Sequence, residues 1–180
     1  MENEIVIWSE TGTKDFIGYS YAQKFVNNDG GRTDAGFKGS TRDCVSRSIA
    51  IITGKPYKEV YDALNQISKD KGYWNSMILE KTNFGNSYKK KSSARTGVRR
   101  EVYDEYLKSL GYKWVATSGI GLGCQVHLRG DELPKGKLIV RVTKHLTAVI
   151  DGVIHDNHDC SRRGTRCVYG YYIKDVDNLI

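Results

Sequence analysis

Apolar residues recur at helical spacing through the first part of the chain and at strand spacing through the second. In "STRDCVSRSIAIITG", residues 40–54, hydroxyls and Asp43 precede apolar Val45, Ile49 and Ile52, and Gly54 follows. That pattern predicts a helix with a cap at each end. In "KPYKEVYDALNQISKDKG", Pro56 suits a first helical turn, Tyr57, Val60, Tyr61, Leu64 and Ile67 share one face, and Gly72 ends the run. "VRREVYDEYLKSLG" repeats the pattern with Val98, Val102, Tyr106, Leu107 and Leu110, closed by Gly111. Further on the period shortens. "YKWVAT", "KLIVRV", "HLTAVI", "VIHD" and "CVYGYYI" are short β-rich segments parted by Gly, Pro and Asp. Helices first and strands second predict an α+β fold, with N-terminal helices packed on a C-terminal antiparallel sheet.

The rest of the pattern is weaker. "IVIW" at 5–8 reads as a short strand, and "TKDFIGYSYAQKFVNN" fits either regular element. "DGGRTDAGFKGS", 29–40, is a Gly-rich loop without the Gly-x4-Gly-Lys-Ser/Thr spacing of a phosphate loop. "GIGLG", 119–123, lacks the strand and helix that a dinucleotide site needs. No repeat and no Pro-rich linker divides the chain. Residues 1–180 are expected to form one domain, with a flexible basic insertion around 81–97.

"HLTAVIDGVIHDNHD", 145–159, carries the first chemical suggestion. With Asp151 and Gly152 as the centre of a type I′ turn, Ile150 opposes Val153 and Val149 opposes Ile154. Continued outward, Thr147 opposes Asp156 and His145 opposes His158. Asp156 then becomes the diagonal neighbour of His145, with Cβ atoms roughly 7 Å apart or less. Asn157, His155 and Asp159 fall on the other face. A carboxylate on one ring nitrogen fixes the tautomer and frees the other as a base. A purely structural histidine bonded to a nearby acid fits the same pattern.

Cys44 supplies the missing nucleophile. It stands at the first turn of a predicted helix, where unpaired N–H groups and the helix dipole favour a thiolate and can receive an oxyanion. A helix-N-terminal Cys, then a strand-initial His, then an Asp on the next strand resembles the papain-like cysteine peptidase superfamily, including its small bacterial peptidase and amidase branches. The resemblance spans roughly 40–175 and rests on "DCVSRSIA", "HLTAVIDG" and "VIHDNHD". The phrases "SSARTGV" and "HLRGDELPKGKLIVRV" also resemble phage and bacterial proteins of this kind. It implies a papain-like fold and a Cys44–His145–Asp156 triad for peptide, isopeptide or amide hydrolysis, deamidation or acyl transfer. One departure stands out. The Gln usual a few residues before the Cys is missing, since no Gln lies between Gln23 and Cys44. Asn27, Asn28, Lys38, Ser40 and Thr41 are the candidates for the second oxyanion donor.

Charge adds two rivals. The chain of 180 residues has 28 Lys and Arg against 21 Asp and Glu, a net +7. "YKKKSSARTGVRR", 88–100, holds cations without an acid and reads as a solvated loop or as a surface for an acidic partner. Arg95, Arg99 and Arg100 are the candidates for substrate contact. Tyr73, Trp74, Phe84 and Tyr88 near these cations also suit single-stranded nucleic acid. A papain-like module that only binds is the other alternative. Cys124, His127, His155, His158, Cys160 and Cys167 match no common zinc spacing, so no metal and no cofactor is expected. No apolar run of 18 residues occurs, and "MENEIVIWSE" lacks a basic n-region and a cleavage site. A cytoplasmic protein with four free thiols is therefore expected.

Overall fold

The computed structural model describes residues 24–74 and 91–174 in full, and the backbone alone of strand residues 7–8, 14–15, 77–82 and 85–90. In chain order the elements are β1 (Ile7–Trp8), β2 (Lys14–Asp15), β3 (Phe25–Asn27), α1 (Cys44–Thr53), α2 (Tyr57–Asp70), β4 (Met77–Thr82) and β5 (Gly85–Lys90). Then come α3 (Arg100–Ser109), β6 (Tyr112–Ala116), β7 (Lys137–Val142), β8 (His145–Ile150), β9 (Val153–Asp156) and β10 (Val168–Lys174). The fold is α+β, with three helices packed on a six-stranded sheet of order β3-β9-β8-β7-β10-β6.

The sheet is mixed rather than purely antiparallel. β3 runs parallel to β9, with Phe25, Val26 and Asn27 opposite Ile154, His155 and Asp156. Every other pairing in it is antiparallel. β3 escaped the sequence pattern because its residues are exposed and so carry no in/out alternation. The 81–97 stretch also differs from a solvated loop. Its first half joins the β4–β5 hairpin. Ser92, Ser93 and Ala94 are buried, where the Ala94 N–H donates to Asn65 Oδ1 at 2.8 Å and the Ser68 and Ser92 hydroxyls meet at 3.1 Å. Small side chains let this segment pack where its cations alone predicted solvent.

Two apolar layers flank the sheet. Leu146, Ala148 and Ile139 join Ile49, Val60, Leu64, Val102 and Leu107 on the helix side. Val149, Ile154, Val140 and Leu138 join Leu128, Cys160 and Val168 on the other. This is the period-2 split expected of strands buried on both faces. The β8–β9 turn follows the sequence reading: Asp151 and Gly152 have φ of 50° and 82°, and Val149 pairs with Ile154. Among the described residues no helix is long and apolar enough to cross a membrane.

The cysteines require a correction. Cys124 and Cys167 form a disulfide, with Cα atoms 5.6 Å apart, whereas Cys44 and Cys160 are free. Residues 43 apart in sequence gave no local signal of this pairing. It is set by the backbone bridge between His127 and Cys167, which brings the 117–136 segment alongside the start of β10.

Candidate active site

Three element ends meet at one margin of the sheet: the first residue of α1, the first of β8 and the last of β9. They carry Cys44, His145 and Asp156. α1 begins at Cys44 because the preceding Asp43 leaves helical geometry, with φ −98° and ψ 22°. The expected side-chain cap is absent there. Asp43 is buried and spends its carboxylate on other partners: Arg32 Nε at 2.8 Å, Arg47 at 3.5 Å and the Tyr57 hydroxyl, which donates at 2.7 Å. These bonds fasten the 29–40 loop and the start of α2 to the N-terminus of α1. Gly54 closes the helix as expected, its N–H donating to Ala50.

His145 Nε2 lies 2.7 Å from Asp156 Oδ2, the diagonal pair that the hairpin register predicts. Asp156 is buried, and its other oxygen accepts from the Asn157 N–H at 2.8 Å and from Arg47 at 3.4 Å. A continuous chain of charges results, from Arg32 through Asp43, Arg47 and Asp156 to His145. With Nε2 occupied by the carboxylate, Nδ1 is the nitrogen left for proton transfer.

The electrostatics of Cys44 and His145 favour charge separation between them. Burial pushes the Cys44 thiol up, but the hydrogen bond and charge of His145, the Leu146 amide and Arg47 outweigh it and hold the thiol below its ordinary value. Burial pulls His145 down, but its bonds to Asp156, Cys160 and Cys44 raise it to about 11. Burial likewise pushes Asp156 up, and His145, the Asn157 amide and Arg47 together bring it below the usual carboxylate range. The two shifts run in opposite directions, the thiol down and the imidazole up, and both favour a thiolate–imidazolium pair.

A cleft of about 860 Å³ opens over Cys44 and His145. Asp156 stays behind the imidazole, outside the lining. Of the candidates for an oxyanion donor, Thr41 lines this cleft. Ser40 lines a smaller adjoining hollow. Asn28 Oδ1 accepts from the Gly30 N–H, the Lys38 carbonyl accepts from Arg32, and Asn27 belongs to β3. Of the three arginines expected at the substrate, Arg100 lines the cleft and Arg95 the adjoining hollow. Arg99 does neither: its guanidinium lies 3.9 Å from the centre of the Tyr73 ring. The cations that sequence reasoning missed are Arg42, Arg141 and Lys144, which come from separate segments and line the same cleft. Only the signal of proximity to Cys44 and His145 in sequence could have suggested Arg42 and Lys144.

The rival sites fare unevenly. Lys69 and Lys91 lie over the Trp74 ring, at 4.9 and 4.5 Å from its centre, and Arg99 lies over Tyr73, so both rings already hold cations of the chain. Phe84 lies outside the described residues, and of Tyr88 only the backbone is described. Among the residues weighed and set aside as zinc ligands, Cys124 and Cys167 are consumed by the disulfide. His145, Asp156 and Cys160 do bring donor atoms within 4.8 Å of one another and could hold a metal ion. Cys160 is buried in the layer away from the helices, so His145 sits between two free thiols, of which Cys44 faces the cleft. No protein-family model, curated protein or solved structure matches the chain.

Proposed function

We propose that this chain is a papain-like cysteine-dependent acyl hydrolase or acyl-transfer enzyme acting on a peptide, protein or amide substrate. The observation that carries the reading is the Cys44–His145–Asp156 relay, with the thiol at a helix start, open to a cleft, and the carboxylate buried behind the imidazole. A structural histidine would need the carboxylate alone. Here the imidazole also contacts a thiol that solvent and ligand can reach.

The chemistry follows from the positions. Cys44 Sγ attacks the carbonyl carbon, forming the C–S bond and placing the carbonyl electron pair on oxygen. Cys44 is the first residue of α1, so its N–H has no intrahelical acceptor and is free to hold that oxyanion, with Thr41 as second donor. The C–N bond breaks as the imidazolium gives its proton to the leaving amine. Water, or another nucleophile, then loses a proton to the neutral imidazole and opens the thioester, restoring the ion pair. Asp156 keeps the ring oriented and stabilises its charged form.

An activated ester tests this without a known substrate. With p-nitrophenyl acetate, wild type is expected to release a burst of up to one p-nitrophenolate per chain and to gain an acetyl group on Cys44, removable by hydroxylamine. Cys44→Ala loses the burst, and His145→Ala slows it by roughly 100-fold or more. An acetyl group found on Cys160, or spread over lysines, contradicts the reading.

A further inference from the structure

The walls of the Cys44 cleft are cationic, and no Asp or Glu contributes to them. Five of the lining residues are Arg42, Arg47, Arg100, Arg141 and Lys144. Two of these are balanced by the chain itself: Arg47 by Asp43 and Asp156, and Arg100 by Asp104 at 3.2 Å. Arg42, Arg141 and Lys144 pair with no carboxylate among the described residues. Their places are fixed. Arg42 stands two residues before Cys44, its N–H donating to the Arg95 carbonyl at 3.0 Å. Lys144 stands immediately before His145, in a tight turn with φ of 56°. Arg141 pairs in register with Leu146, the residue after His145, and its guanidinium lies 5.9 Å from the Tyr169 ring centre. Unbalanced positive charge thus flanks the reacting pair from the loop before α1 on one side and from the β7–β8 hairpin on the other.

Like charges in a concave wall focus their field into the cleft and raise the local concentration of anions. Arginine adds a planar fork that matches a carboxylate in two parallel hydrogen bonds. We propose that this cleft selects an acidic peptide segment, with Asp or Glu side chains on both sides of the reacting carbonyl. The proposal rests on the acyl chemistry of Cys44 and names its substrate class. A peptide is favoured over a nucleic acid because Cys44 needs an acyl carbon, which a phosphodiester backbone lacks. The rings of Tyr73 and Trp74, beside the basic segment, moreover already hold cations of the chain.

The test compares three acetylated peptide vinyl sulfones that differ in the residues flanking the electrophile: Glu, Ala or Lys. Cys44 Sγ adds to the vinyl carbon and the neighbouring carbon takes the imidazolium proton, with no leaving group. Labelling of Cys44 is followed by mass spectrometry, with iodoacetamide as a small neutral reference. The Glu probe is expected to label at least about 10-fold faster than the Ala probe, and the Lys probe slowest. The Glu advantage shrinks in about 0.5 M NaCl, where the screening length falls to a few ångströms. Arg141→Glu with Lys144→Glu lowers the Glu-to-Lys rate ratio, and Arg141→Lys retains it. Equal rates for the three probes, with Cys44 still quick toward iodoacetamide, overturn the acidic-peptide proposal and leave the enzyme reading standing. Cys44 no quicker than Cys160 toward iodoacetamide overturns both. Protection of Cys44 from the Glu probe by a single-stranded oligonucleotide, but not by polyglutamate, overturns the proposal in favour of nucleic acid.

Discussion

Asp156 gains its low pKa from partners that exist only in the folded chain. The unfolded state therefore binds its proton more readily, and folding stability falls as pH drops below the ordinary carboxylate value of 3.8. Asp156→Asn removes that dependence. Urea midpoints at pH 5 and pH 3 are expected to differ less for the variant than for wild type, and an unchanged difference would contradict the assignment. Arg47 belongs to the same network, buried between Asp43 and Asp156. Removing one member of a buried charge group leaves its partners uncompensated, which costs about 3 kcal/mol. Arg47→Met should lower stability by that order in a urea melt and also raise the apparent pKa of Cys44, because one of its stabilising charges is gone. At this scale the sequence was informative where local rules apply. Cys44, His145 and Asp156 follow from a helix start and a two-residue turn. The convergence of Arg42, Arg141 and Lys144 was not legible, because it depends on how the start of α1 docks beside the β7–β8 hairpin.

Elements were legible to the extent that they bury one face. α1, α2, α3 and the strands from β6 to β10 each carry an apolar period that the core explains. β3 and the β4–β5 hairpin do not, since exposed Phe25 and Val26 and polar "GNSYKK" offer no such period. Within β10, Gly170 shows what packing adds. It has φ of 149° at a register shift against β7, and a Cβ there would lie 2.4 Å from both the Trp114 ring and the Val115 carbonyl oxygen. Gly170→Ala is therefore expected to destabilise by about 2 kcal/mol or more, lowering Tm by roughly 4–8 °C. A variant that melts with wild type would contradict the close β6–β10 approach.

At the scale of the molecule, one covalent tie crosses the second half. The Cys124–Cys167 disulfide encloses 43 residues of separation, for which the chain-entropy account gives about 4 kcal/mol. Its presence replaces the expected four free thiols with two. Thiol titration of the unreduced, unfolded protein should count two reactive groups, and reductant should lower Tm. Four groups and an unchanged Tm would refute the bridge. The account as a whole stands on the Cys44–His145 ion pair. The most direct measurement is the pH dependence of iodoacetamide alkylation, read residue by residue with mass spectrometry on wild type and His145→Ala, with Cys160 as the internal control. The account predicts that Cys44 reacts first, with an apparent pKa well below the free-thiol value of about 8.5, and that His145→Ala abolishes the advantage. Cys44 titrating near that free value, or unmoved by the loss of His145, would contradict it.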